Sequence, residues 1–600
     1  MFDRHWLRRG LILAAVGLLA VLGACAGEEA TPTATATATT AAPVGVTATE
    51  TVVAEATATV EAPTASVAQI GKYGGTMRWA VKAEWRGVNP IRRTSITEQS
   101  FIGPQYSTLI RLDPLDKVRD VSKIVGDLAT SWEIEDGKTY VFHLRDNAFF
   151  HDGSQVTCQD VVTSWEHSVK VGAYRAQFED FYLGGECRDS LTPVFKLSAP
   201  LAKTLAIMAG HRTAGGAIVP AKQIAAIGGV KSTKEWKQDQ TIGSGPFKYE
   251  SADVAAGWHG IRVDNYYLFD AAGNRLPYLD GYVSFGITDT GTRNAAYLGN
   301  QLDAIQSVTL EARSALEILK QKPDHTVITV GGNDWTVRFK KLPPFDDYRV
   351  RKAFHLTYDR HANAPITDPS PPGIQWRTVG GIVPPQTGGI PLEELWQMPG
   401  FRVDKTADIA EANRLLDEAG YPRGKNGIRF AFKLFTPVTQ EYQDNHVLYA
   451  SDLLKIGVTF KLDLPIDNAE EGTRGTACDF QVQGRRGASD MDADGEIGSI
   501  NVRPEVTTGL YVCGFVTPQW IKDAWIDQSS TLDRAARVKK VQDMERAYYE
   551  DKDFGYQYIP LHDGSYLVGH WPFVKGGGWD RPWLYRFEQI SVEDVWLDKQ

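Results

Sequence analysis

Residues 131–153 read SWEIEDGKTYVFHLRDNAFFHDG, and they leave little freedom of local structure. Tyr140, Phe142 and Leu144 alternate on one face of a strand, and Trp132 and Ile134 do the same on the arm before it. Asp136-Gly137 lies between the arms, and a tight hairpin turn needs the positive φ that glycine adopts without strain. The reading is a β-hairpin, then a second turn at His151-Asp152-Gly153, then a helix over CQDVVTSWEHSVK.

The same mixture of periods continues along 600 residues, which is too long for one core, so at least two lobes are expected. GGTMRWAV reads as a first strand, with Met77 and Trp79 alternating against Arg78. TIGSGPFKYE, residues 241–250, is a Gly/Pro-punctuated start of another. TLEARSALEILKQ and TADIAEANRLLDEAGYP are amphipathic helices, the second capped by Gly420 and stopped by Pro422. DRAARVKKVQDMERAYYED is a further helix, and YQYIPLHDGSYLVGHW returns to strand. Helices and strands alternate through both halves without an internal repeat, which predicts two α/β lobes. A net charge of -10 with no evident basic surface argues against a nucleic-acid partner.

The N-terminus has the order of a secretory signal: Arg4, Arg8 and Arg9, the apolar run LILAAVGLLAVL, then small residues. The run is too short to span a bilayer comfortably. Leu22-Gly23-Ala24-Cys25 resembles the bacterial lipobox, which implies a signal over 1–24 and lipidation of Cys25 as the new N-terminus. Residues 26–70 contain no aromatic residue, no Lys and no Arg; a segment dominated by Thr, Ala, Val, Glu and Pro reads as a disordered tether from 25 to 72. About 45 such residues reach on the order of 40 Å. Export leaves Cys158, Cys187, Cys478 and Cys513, an even number in an oxidising compartment. Three connectivities are open, of which local pairing, Cys158–Cys187 and Cys478–Cys513, is the working expectation.

Catalytic signatures are missing. No GxSxG, HExxH, GxxxxGK[ST] or GxGxxG occurs at a strand–helix junction. A secreted glycoside hydrolase stays open as a rival, because a carboxylate pair cannot be located in sequence. The 12 His are scattered, and His151 reads as a satisfied turn residue. Trp79, Trp85, Trp376 and Trp579 lie in or near loops and are candidates for a cleft, with core packing the competing reading, above all for Trp79.

Several stretches together resemble the family 5 extracellular solute-binding proteins of ABC importers, the group that holds oligopeptide- and dipeptide-binding proteins. These are LATSWEIEDGKTYVFHLRDNAFFHDGSQVTCQDV, GSGPF at 243–247, PFDDYRVRKAFHLTYDR at 344–360, the helix ending in AGYP, LLKIGV and the late IPL segment. The resemblance covers roughly residues 73 to 600. It implies a two-lobed α/β fold of the periplasmic-binding-protein type II, with an extra subdomain in lobe one. Lobe one would be 73–325, with 561–600 returning to it, and lobe two 326–560. The ligand would be enclosed between the lobes and delivered to a membrane permease by a non-catalytic, monomeric protein held outside the cytoplasm by its lipid. A peptide or small zwitterionic solute is the expected ligand, an oligosaccharide the alternative. No cofactor is expected.

The resemblance also implies site residues. Ser95, Ile96 and Thr97 follow Asn89-Pro90 and correspond to a segment that borders the ligand; Trp376 lies in a lobe-two loop that often faces it. The stretch DMDADGEIGSIN, residues 490–501, carries Asp490, Asp492 and Asp494 at calcium-loop spacing, but Asn501 stands where such a loop needs a bidentate acid. After CDFQVQGRRGAS it reads instead as the turn whose Asp pairs with a ligand's α-amino group, with Asp490 the first choice and Asp492 the alternative. Arg485 and Arg486 would favour a ligand carboxylate or phosphate. No metal is expected, with calcium at the three aspartates as the minority alternative.

Overall fold

The computed structural model describes residues 60–61 and 71–599, apart from 83–84, 86, 93–95, 114–122, 173, 211–214, 330–333, 368, 371–379, 438–439, 467, 487–492, 494–496, 498–512, 564–566 and 578–591. Three larger sheets organise it. A seven-stranded sheet runs, from edge to edge, Thr326–Thr329, Leu567–His570, Ala304–Leu310, Thr76–Val81, Gly281–Gly286, Gly257–Arg262 and Phe247–Asp253. A five-stranded sheet orders Val458–Asp463, Phe430–Phe435, Val482–Arg486, Asp334–Phe339 and Tyr558–Asp563. The third is antiparallel and contains the hairpin: Val60–Glu61, Ala129–Glu135, Thr139–Leu144, Thr192–Leu197 and Tyr182–Asp189. It is the extra subdomain, beside the first sheet. Val60–Glu61, inside the segment expected to be a tether, pairs with Trp132 and Ser131 on its edge. Among the described residues no helix is long and apolar enough to cross a membrane.

Each sheet has its own core. Trp335, Val337 and Phe339 alternate inward from the second sheet, Phe339 against Phe354 of helix Tyr348–Thr357 and Trp335 against Tyr442 of helix Gln440–Lys455. In the first sheet Trp79 is fully buried and stacks on Tyr282 at 4.8 Å, so the core reading of that tryptophan is the observed one. The hairpin turn has both residues at positive φ, 52° at Asp136 and 75° at Gly137, and Asp136 Oδ1 accepts from the Thr139 amide at 3.0 Å.

Two of the sequence boxes meet in space. The Gly243 amide donates to His151 Nδ1 at 3.3 Å, and His151 Nε2 lies 3.1 Å from the Gly245 carbonyl, so a neutral imidazole protonated on Nε2 satisfies both. Burial holds the His151 pKa down at about 4. A Cβ at Gly243 would sit 1.9 Å from the Gln105 carbonyl, so only glycine lets the chains approach this closely. In the PFDDYRVRKAFHLTYDR box, Arg351 and Arg360 are buried and donate to backbone carbonyls, Arg351 to Phe345, Asp346, Asp553 and Gly555, and Arg360 to Pro560 among others. Both arginines fix strand and loop positions in lobe two.

The chain crosses between the two α/β sheets twice, between Thr329 and Asp334 and between Asp563 and Leu567. Thr326–Thr329 belongs to the first sheet, whereas the sequence reading began lobe two at 326; Tyr558–Asp563 extends the second sheet past the expected 560. In both cases an apolar strand continues unbroken to the crossing, and hydrophobic pattern alone does not say which sheet it joins.

Candidate functional site

Both α/β sheets turn the same kind of edge toward the crossings. In the first, Thr76–Val81 is parallel to Gly281–Gly286 and Ala304–Leu310. Leu567–His570 is antiparallel to Ala304–Leu310 and to Thr326–Thr329. Strands 76–81, 281–286, 304–310 and 326–329 therefore end together, at the edge where the chain departs after Thr329. In the second sheet, Phe430–Phe435 is parallel to Val458–Asp463 and Val482–Arg486. Asp334–Phe339 is antiparallel to Val482–Arg486 and to Tyr558–Asp563. Its C-terminal ends gather where the chain arrives at Asp334 and departs after Asp563. Open α/β sheets bind ligands outside the carboxyl ends of their strands, because loops and unpaired backbone groups converge there. Two such edges joined by two short crossings form the candidate site.

Arg485 and Arg486 end the strand Val482–Arg486 at that edge. Arg486 is the register partner of Trp335 and Arg485 of Thr336, one and two residues past the crossing. The Thr336 hydroxyl donates to the Arg485 carbonyl at 3.1 Å, tying the end of this strand to its neighbour. Arg485 is half-buried, on the same face as Arg338 and Gln483, where Arg338 Nε donates to Gln483 Oε1 at 2.8 Å. The opposite face meets helix Gln440–Lys455: a Cβ at Gly484 would lie 2.0 Å from His446 Nε2, so glycine gives the imidazole its place. Burial lowers the His446 pKa to about 3, which keeps it neutral.

The departing strand is equally fixed. His562, register partner of Trp335, is fully buried; Tyr358 Oη lies 2.8 Å from its Nδ1 and Thr367 Oγ1 3.1 Å from its Nε2. On lobe one, the loop after Thr76–Val81 is shaped by Asn89, whose Oδ1 accepts from the amides of Ile91 at 3.0 Å and Arg92 at 3.4 Å. Ile96 and Thr97 open the helix Ile96–Ile102 that follows this turn. Helix and turn both leave the C-terminal edge of the first sheet.

Asp490, Asp492, Asp494, Trp376, Ser95 and Trp579 lie outside the described residues. Two residues of the acidic stretch are described: Ala493 and Ile497 are helical, four positions apart, and buried in the core of the second sheet. A disulfide joins Cys478 to Cys513, with Cα atoms 5.3 Å apart, so the strand carrying the arginines and the acidic stretch lie within one closed loop. A second joins Cys158 to Cys187 and ties the start of helix Cys158–Val171 to strand Tyr182–Asp189.

One structural feature of lobe two escaped sequence reasoning. Glu545, on helix Arg534–Glu550, is buried and accepts from the amides of Ile382 at 2.6 Å, Val383 at 3.3 Å and Ile390 at 3.1 Å. Burial raises its pKa to about 7, against the opposing pull of these amides. The carboxylate holds the chain segment that follows 371–379. A single acid in an amphipathic helix gives no signal of this kind in sequence.

The model of the bacterial extracellular solute-binding proteins, family 5 middle region, matches residues 123–499. The chain is 27% identical over 423 residues to the dipeptide-binding protein of Escherichia coli (strain K12), covering 64% of this chain and 71% of that one. It is 25% identical over 530 residues to the periplasmic oligopeptide-binding protein OppA of Haemophilus influenzae, covering 82% and 89%. Among solved structures, DppA from Helicobacter pylori in complex with peptide STSA matches with a TM-score of 0.67 at 20% identity, over 88% of this chain and 99% of that one. AgaA from A. tumefaciens R10, in complex with agropinic acid, matches with a TM-score of 0.67 at 22% identity and the same coverage.

Proposed function

This chain belongs to the bacterial extracellular solute-binding proteins of family 5, and from that premise we propose that it closes two lobes on a peptide or small zwitterionic solute and delivers it to a membrane permease. It is a solute-binding protein of an ABC importer and not an enzyme. The observation that carries the finer reading is the convergence of two carboxyl-end sheet edges on two short crossings, with the strand of Arg485 and Arg486 ending there. A ligand touching both edges stabilises the closed arrangement, and in its absence the lobes are free to part.

In this reading Asp490 receives the ligand's ammonium group, with Asp492 as the alternative, and the Arg485-Arg486 pair attracts its carboxylate. Trp376 and the segment Ser95 to Thr97 border it. A carboxylate facing an ammonium in a closed cleft forms a charge-assisted hydrogen bond worth about 1.5–3 kcal/mol. Lipid on Cys25, after removal of residues 1–24, holds the protein at the membrane, and the segment before Val60, where the chain joins the hairpin sheet, lets it stand off from the surface. The H. pylori neighbour holds a peptide and the A. tumefaciens neighbour agropinic acid, so the fold accommodates small solutes as well as peptides.

Calorimetric titration of di- to pentapeptides into the wild type and the Asp490→Ala variant tests the assignment. Affinity should fall roughly tenfold or more. Unchanged affinity for an amine-bearing ligand means that Asp490 is not the anchor.

A further inference from the structure

The lobes touch at a place other than the two crossings, and each side of that contact belongs to a fixed part of its lobe. On lobe one, Leu201 is buried in the core of the hairpin subdomain, a core that also takes in Tyr267, Leu276 and Tyr278. The Thr204 hydroxyl donates to the Leu201 carbonyl at 2.7 Å and holds this turn in shape. On lobe two, helix Gln519–Ser530 sends Ile521 and Trp525 into the core of the second sheet. Helix Arg534–Glu550 follows, and Val541, Met544 and Tyr548 lay it along the same core. The Tyr548 hydroxyl donates to the Tyr558 carbonyl at 2.9 Å, where strand Tyr558–Asp563 begins its run to the crossing. The opposite end of that helix, beside Leu532, therefore lies toward the edge where the lobes meet.

The contact is one of helix capping. The last carbonyls of a helix have no partner within it. The Ser529 carbonyl, at the end of helix Gln519–Ser530, accepts from the Ala202 amide of the other lobe at 2.8 Å. The next residue, Lys203, is buried and brings its ammonium to 5.2 Å from the Trp525 ring of the same helix, an attraction that gains strength away from water. At the tip of the hairpin, a Cβ added to Gly137 would lie 3.5 Å from Leu532 Cδ1 and 3.6 Å from Pro200 Cγ, so these two side chains meet over the glycine. Phe181 packs against both the subdomain core and the lobe-two core. Water can replace a capping amide when the lobes part, so the contact is reversible.

We infer that this contact is a latch: it holds the lobes together without a ligand, and its strength sets how tightly the interlobe site binds. The inference rests on the reading that two lobes close on a solute. A solute that needs the closed arrangement binds with an apparent affinity proportional to the fraction of molecules already closed. A contact outside the cleft that favours closure therefore strengthens binding without touching the solute.

Small-angle X-ray scattering and residue-resolved hydrogen exchange on the full-length protein, without any ligand, read the latch directly. Leu532 is 51% exposed, so Leu532→Asp puts a charge into the contact at a position the fold does not depend on. Combined with Lys203→Ala, it should raise the radius of gyration above that of the wild type and speed exchange of the Ala202 amide roughly tenfold. Leu532→Asp alone should move both in the same direction, which keeps the test open if Lys203→Ala disturbs lobe one. Val254→Asp, at the exposed turn of another lobe-one hairpin, should change neither. Titrated calorimetrically with trialanine, the double variant should bind roughly tenfold more weakly than the wild type. An unchanged radius of gyration overturns the inference, as does faster Ala202 exchange without expansion or an equal expansion in Val254→Asp. Expansion with undiminished trialanine affinity overturns the claim that the contact sets binding strength. Failure of the wild type itself to bind trialanine counts against the peptide reading alone, and the ligand-free comparison still decides the latch.

Discussion

Asp334 and Asp563 are backbone partners at the end of the second sheet, so the chain arrives in lobe two and leaves it through adjacent strands. That adjacency anchors the lobe-two side of the candidate site. It fixes which edge of the sheet meets the other lobe, and it puts the end of the arginine-bearing strand one residue from the crossing.

Glu545 makes lobe two sensitive to pH. Its pKa is raised from an ordinary 4.5 to about 7, so the folded chain holds this proton more tightly than the unfolded one. The resulting stability is fully present below about pH 4.5 and is lost as pH rises through about 7, with a total on the order of 3 kcal/mol. Urea denaturation at a series of pH values from 5 to 8 should show this decline in the wild type and a flatter profile in Glu545→Gln. Parallel profiles would show that Glu545 does not titrate in this range.

The two disulfides enclose loops of similar length, with sequence separations of 29 and 35. Loop-closure entropy assigns each roughly 3–4 kcal/mol. Replacing Cys478 and Cys513 together by serine should lower stability by about that amount. It should also weaken ligand binding, because the closed loop contains the acidic stretch; Cys158→Ser with Cys187→Ser should lower stability and leave affinity unchanged. Equal effects of the two pairs on affinity would contradict the assignment of the acidic stretch to the ligand site.

Glycines separate packing from flexibility. Gly243→Ala drives a Cβ to 1.9 Å from a backbone carbonyl and should cost several kcal/mol or prevent folding. Gly472, in helix Asn468–Thr476, has nothing within 4 Å of its added Cβ, so Gly472→Ala should stabilise by about 0.5–1 kcal/mol. Thermal melts of both variants give the two signs; a stable Gly243→Ala protein would mean that Gly243 does not approach the Gln105 backbone as described.

Much of this architecture was legible because its signals are local. The hairpin around Asp136-Gly137, the helix stopped by Gly420 and Pro422, and the alternating strand at Trp79 each follow from a period or a turn residue within a dozen positions. The exact crossings were less legible, since Thr326–Thr329 and Tyr558–Asp563 choose their sheets through partners hundreds of residues away. Glu545 left no local trace for the same reason: its meaning lies in backbone amides contributed by a distant segment. Of the proposed ligand contacts, Arg485 alone is described with its side chain, and its register against Thr336 is a property of the sheet that a dipeptide of arginines does not announce.

The central claim is that this protein binds a small solute between its lobes and releases it unchanged. Native mass spectrometry of the protein purified from a peptide-rich medium tests it most directly, with gentle activation to eject what is bound. The account predicts a noncovalent adduct of peptide or small-zwitterion mass that is ejected intact, is lost on partial unfolding, rebinds when returned, and is weakened by Asp490→Ala. A bare protein mass, together with no saturable binding of peptides or amino acids to the refolded chain, would contradict it.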